Sequence, residues 1–113
     1  MKQEYKEKWL AALKSGDYCY TSSVLYQDGC FCALGVLCEV VEPNLARKAT
    51  AALEGVSETL MEKLFKGGGG LMPSKVYDIT GITATDENDV FRLNDLGEKP
   101  NYDEVIVLIE RHL

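Results

Sequence analysis

A small α+β domain, with four or five helices packed against a small antiparallel sheet or hairpin, is the fold this sequence predicts. Three observations predict it. Helical periodicity opens and closes the chain, an Asp28-Gly29 turn divides a tyrosine- and threonine-rich run from an apolar one, and no internal repeat occurs. At 113 residues the chain is expected to form one domain, 1–113. That length buries roughly two thirds of the unfolded surface in one core, without metal or disulfide staples.

Residues 4–15 read as an amphipathic helix, because Tyr5, Trp9, Ala12 and Leu13 recur at i, i+4, i+7 and i+8. Gly16 supplies the left-handed cap that ends it. Tyr18 to Tyr26 is strand-like. Asp28-Gly29 suits a tight type I′ reversal. The apolar run after it reads as strand to about Cys32 and helix to about Val41, with Leu34, Leu37, Cys38 and Val41 on one face and Gly35 permitting close approach. Helices are expected over Leu45–Leu53 and Ser57–Lys66, with Ser57 as N-cap and Leu60, Met61, Leu64 and Phe65 as an apolar face. Gly67–Gly70 reads as a flexible loop. Pro73 to Gly81 reads as a short helix, proline near its start and glycine as its cap. Asp89–Leu93 alternates as a short strand, Asn94-Asp95-Leu96-Gly97 reads as a turn, and Asp86, Glu87 and Asp89 fall in a loop. Asn101 caps a last helix, with Glu104 completing a capping box and Tyr102, Val105, Ile106, Ile109 and Leu113 on its buried face.

Composition narrows function. Twelve basic against eighteen acidic groups leave −6, and residues 67–113 hold four of the former and nine of the latter. No basic stripe exists to neutralise phosphates, so direct nucleic-acid binding is disfavoured. No apolar run reaches the ~18 residues of a membrane span, and Met1 to Lys8 is too charged for a signal peptide. A soluble, cytoplasmic protein is expected.

Cys19, Cys30, Cys32 and Cys38 leave three readings open: reduced core thiols, a metal site, or disulfides. Their spacing of ten, one and five intervening residues fits paired zinc ligands poorly. The apolar company of Cys30, Cys32 and Cys38 favours buried thiols. A cysteine nucleophile at Cys30 or Cys32 has only His112 as a histidine base, with Asn94 or Asp95 to orient it. Glu39 stands alone in an apolar run, Asp86-Glu87-Asn88-Asp89 lacks the glycine and glutamate of a calcium loop, and Gly67–Gly70 does not fit a phosphate loop. No cofactor, metal or catalytic residue is expected.

Trp9 to Tyr18, then Cys30 to Glu39, together with Leu93-Asn94-Asp95 and Ile109-Glu110, resemble a block of small uncharacterised bacteriophage and prophage proteins. Those proteins show W-x-x-A-L-x-S-G-x-Y, a turn, C-C-L-G-V-L-C, then L-N-D and a helix ending in an I-E pair. The resemblance covers about half the chain and departs at Phe31-Cys32-Ala33, where adjacent cysteines are usual. It carries no catalytic residue. It implies a phage-type accessory protein that binds and inhibits a host protein, such as a defence component, in the host cytoplasm. The surface that would do so is expected among Asp86, Glu87, Asp89 and Asp95, the glycine loop, or Tyr18, Tyr20 and Tyr26, whose even spacing puts them on one strand face. That face is either a contact patch or the one packed under the helices. The alternative is a small cysteine-dependent or metal-binding protein using Cys19, Cys30, Cys32 and Cys38.

Overall fold

Trp9 explains how the first helix docks. In α1 (Gln3–Lys14), Trp9 and Leu13, one turn apart, are buried, and the Trp9 indole N–H donates to the Ala33 carbonyl at 2.9 Å. A large ring is thereby buried with its polar atom satisfied. Gly16, at φ 79°, turns the chain out of the helix as expected. The computed structural model describes residues 1–54, 59, 71–97 and 100–113. Apart from Thr59, the helix expected over Ser57–Lys66 lies outside the described residues, as does the glycine loop Gly67–Gly70.

Three two-residue strands follow: β1 (Cys19–Tyr20), β2 (Tyr26–Gln27) and β3 (Cys30–Phe31), in the order β1-β3-β2. Asp28 and Gly29, at φ 50° and 84°, make the expected reversal between β2 and β3, which pair antiparallel. The single strand expected over Tyr18–Tyr26 is corrected. Ser23 turns left-handed at φ 72° and splits it, and β1 crosses to the far side of β3 to pair parallel, Cys19 against Cys30 and Tyr20 against Phe31. The sheet is therefore mixed rather than antiparallel.

Helix α2 (Ala33–Val41) is the centre of the core, with Leu34, Val36, Leu37 and Cys38 buried. Gly35 is required there. A Cβ on it would stand 2.0 Å from the Leu25 carbonyl oxygen, so only glycine lets the Ser23–Leu25 segment lie on the helix. Helix α3 (Leu45–Leu53) has the expected bounds and starts from Asn44 at φ 66°. The Glu39 carboxylate accepts from the Asn44 and Ala46 amides at 3.0 and 3.3 Å, placing negative charge where the helix start is positive. Helix α4 (Ser74–Thr80) ends at Gly81, φ 77°, and its Thr80 carbonyl accepts from the Lys2 amide at 2.7 Å.

The chain after Gly81 departs furthest from expectation. Instead of a strand and a turn, α5 (Ala84–Leu96) is one continuous helix. Thr83 caps it, its hydroxyl oxygen accepting from the Asp86 amide at 3.1 Å, and Asp86 and Glu87 sit in the first turn against the positive end. Glu87, Val90 and Asn94 are its buried residues, at i, i+3 and i+7. Helix α6 (Asp103–His112) closes the chain on Val105 and Ile109, with Asn101 Oδ1 accepting from the Asp103 amide at 3.0 Å. The architecture is α+β, with six helices and a three-stranded sheet among the described residues. That is one helix more than the upper expectation.

Candidate functional site

The β3–α2 junction and the turn beside it are held by one local side chain, Cys32, and two consecutive ones from α5, Asn94 and Asp95. Cys32, the N-cap of α2, accepts from the Gly35 amide through its sulfur at 3.4 Å. Asn94, buried on α5, accepts the Ala33 amide at 3.0 Å and donates to the Thr21 carbonyl at 3.1 Å. The Asn94 carbonyl in turn accepts from the Tyr20 hydroxyl. Asp95, next along, takes the Ser23 amide at 3.0 Å on both carboxylate oxygens. One consecutive pair, Asn94-Asp95, thus fixes β1, the strained Ser23 turn and the start of α2.

What this clamp shapes is an apolar cleft of about 140 Å³. Val24 and Leu25 from the turn, Leu34 from α2, Leu53 from α3, Leu71 and Phe91 form its apolar walls. Ser23, Thr50 and Glu54 contribute polar edges, and Cys32 reaches its lining. Five large apolar side chains are exposed among the described residues: Val24, Leu53, Leu71, Leu96 and Val107. Three of the five, Val24, Leu53 and Leu71, line this cleft.

The cysteines divide. Cys19 and Cys30 are joined as a disulfide across the β1–β3 pair, while Cys32 and Cys38 are free and buried. The favoured reading of four reduced thiols is corrected for Cys19 and Cys30 and holds for the other two. The reason lies in the register, since parallel pairing sets Cys19 directly opposite Cys30, with Cα atoms 4.4 Å apart. Burial pushes the Cys32 thiol up to about 11, against the opposing pull of the Gly35 amide, and pushes Cys38 well above the ordinary thiol range. A thiol held neutral in this way is a poor nucleophile at neutral pH. Among the described residues, no three His, Cys, Asp or Glu side chains stand where they would hold a metal ion together.

Asp86, Glu87 and Asp89 lie on α5, not in a loop. Asp89 is exposed and Asp86 partly so, but Glu87 is buried and accepts the Tyr77 hydroxyl proton. The same hydroxyl accepts from the Met72 amide at 3.1 Å. Burial first, then the Glu87 hydrogen bond, pushes the Tyr77 hydroxyl above its ordinary range. Glu87 therefore joins α4 to α5 rather than facing a partner. The three tyrosines are half-buried and split between two neighbours. Tyr18 and Tyr26 stand edge-on to Phe31 at 5.3 and 5.2 Å, whereas Tyr20 turns to Tyr102 at 5.7 Å. Tyr102 donates to the Phe31 carbonyl at 2.5 Å. Arg47 lies 4.9 Å over the Tyr26 ring, covering its outer side.

Sequence reasoning passed over the cleft, since its walls come from five separate segments. It also missed Asn94 as a buried clamp and Glu87 as a buried acceptor. A signal for α5 was present: Thr83, with an acidic residue three positions on, is a helix-start pattern.

A family model described as "Domain of unknown function (DUF8296)" matches residues 1–113. The chain belongs to that family. No curated protein and no solved structure matches it. In this DUF8296 chain, no helix among the described residues is long and apolar enough to cross a membrane.

Proposed function

We propose that this chain is a non-enzymatic binding protein of phage type that engages a host protein and inhibits it, a defence component being one such target. The observation that carries the reading is the apolar cleft, which gathers three exposed large side chains beside one acidic edge residue, Glu54. Exposed apolar groups collected in one place, with polar edges, are the usual mark of a surface that a partner covers. Glu54 lines the cleft, and Asp95 is anchored to Ser23 at its margin. Asp86 and Asp89 add negative charge on the other flank of α5. The fitting partner presents an apolar side chain beside basic ones, and the chain's net charge of −6 steers their encounter. The compartment that goes with this reading is the host cytoplasm. There, thiol systems keep most cysteines reduced, so the Cys19–Cys30 bond would be subject to exchange.

The test is affinity capture from host lysate with the wild-type chain, Leu53→Lys and Glu54→Lys. Both substitutions alter exposed positions and should leave the melting temperature nearly unchanged. A stoichiometric, salt-sensitive partner that either variant captures severalfold less supports the reading. Repeated capture of nothing, or capture indifferent to both variants, sinks it.

A further inference from the structure

The outward side of α6 is the second place where the fold leaves apolar groups uncovered. Val105 and Ile109 face the core, and the stripe flanking them reads Glu104, Val107, Leu108, Arg111 at i, i+3, i+4 and i+7, with Val107 exposed and Leu108 partly buried against the core. With Leu93 and His112 these four residues line a shallow groove between α5 and α6. Val107 is 46% exposed, and Leu96, one turn beyond Leu93, is 81% exposed. Among the described residues they complete the set of five exposed large apolar side chains, of which the cleft takes the other three. Glu110, off this stripe, is already paired with Lys14 across to α1 at 3.3 Å.

The charge order on the stripe says what fits it. Glu104 stands three residues before Val107, and Arg111 three residues after Leu108, so the pattern is symmetric about the 107–108 peptide but opposite in sign. Rotating a copy by half a turn about that midpoint lays the two helices antiparallel. Val107 then meets the other copy's Leu108, and each Glu104 meets the other copy's Arg111. Such self-complementarity is what a two-fold interface demands, since one patch must serve both partners. Glu104 already interacts within its own chain, and a carboxylate, with about four acceptor sites, can hold a further donor.

We infer that the outward face of α6 binds a second copy of this chain in an antiparallel, two-fold dimer. The patch is one short helix and a helix end, so the dimer forms weakly and is filled at high concentration. The proposal is independent of the cleft and of any host partner.

Sedimentation velocity from micromolar to millimolar concentration tests it, with circular dichroism confirming that each variant is folded. Wild type should shift reversibly from 12.5 kDa to twice that mass. Val107→Lys should remain monomeric. Glu104→Arg and Arg111→Glu should each weaken association about fivefold or more, and Glu104→Arg with Arg111→Glu in one chain should restore it. A wild-type monomer at millimolar concentration overturns the inference. So does a dimer untouched by Val107→Lys, or a double variant no tighter than the single ones.

Discussion

Asn94, in the last turn of α5, and Ala33, in the first turn of α2, are joined by a 3.0 Å hydrogen bond from the Ala33 amide to the Asn94 side-chain carbonyl. A helix start leaves its first amides without intrahelical partners, and here a residue sixty-one positions away supplies one. The Asn94 amide group reaches the Thr21 carbonyl from the same point, so a single buried side chain ties the sheet to both helices.

Asn94→Ala should therefore be costly. It leaves the Ala33 amide and the Thr21 carbonyl unpaired, at about 1–3 kcal/mol each when buried. We expect a loss of about 3 kcal/mol and a melting temperature at least ~10 °C lower. A melt within ~3 °C of wild type would remove Asn94 from its role as the clamp.

Gly35→Ala and Gly29→Ala separate steric from conformational need. At Gly35 a Cβ meets the Leu25 carbonyl oxygen at 2.0 Å. Backbone must move, and a helix-propensity gain of about 1 kcal/mol does not offset that. We expect more than about 3 kcal/mol lost. At Gly29 no atom lies within 4 Å, but φ is 84°, so the cost should be only about 1–2 kcal/mol. Urea midpoints for the pair give the order directly.

The acidic residues of α5 should divide by burial. Glu87→Ala removes the acceptor of the Tyr77 hydroxyl in a buried setting and should cost about 1–3 kcal/mol. Asp86→Asn and Asp89→Asn should each stay within about 0.5 kcal/mol. Equal losses at all three positions in thermal melts would contradict this placement.

Thiol counting checks the cysteine pairing. Denatured without reductant, the chain should take up alkylating reagent only at Cys32 and Cys38, and after reduction at all four cysteines. Because the bond closes a loop of sequence separation 11, Cys30→Ser should lower stability by up to roughly 3 kcal/mol. Four labelled cysteines before reduction would mean that the pair is open in solution.

Alkaline stability follows from the buried thiols. Cys32 is raised in the folded chain from 9.0 to about 11. The unfolded chain therefore releases its proton first, and stability present below pH 9 is lost between pH 9 and 11. Tyr77 and Tyr102, also raised by burial, add to the loss above pH 10. Replacing Cys32 with Ala should flatten the fall of urea midpoint with pH over the lower part of that range. An equally steep fall in the variant would assign the effect to the other groups.

By itself the sequence determined whatever depends on near neighbours. Gly16, Asp28-Gly29 and Gly81 mark their turns because their backbone conformations are local necessities. The 3.6-residue spacing of Trp9 and Leu13, or of Tyr102, Val105 and Ile109, marks helices whatever they pack against. Asn94-Asp95 has the chemistry of a turn, and as an isolated segment that reading is sound. Tertiary structure alone decided otherwise, because the amides of Ala33 and Ser23 offer Asn94 and Asp95 better partners than their own backbone, and α5 runs on through them. The same distance in sequence hid the Cys19–Cys30 pairing, which needs β1 to cross over β3 and arrive in parallel register. It also hid the cleft, whose walls meet only when α2, α3, α5 and the Ser23 turn have packed. Periodicity records which face of an element is apolar, but not which residue elsewhere in the chain will complete its hydrogen bonds.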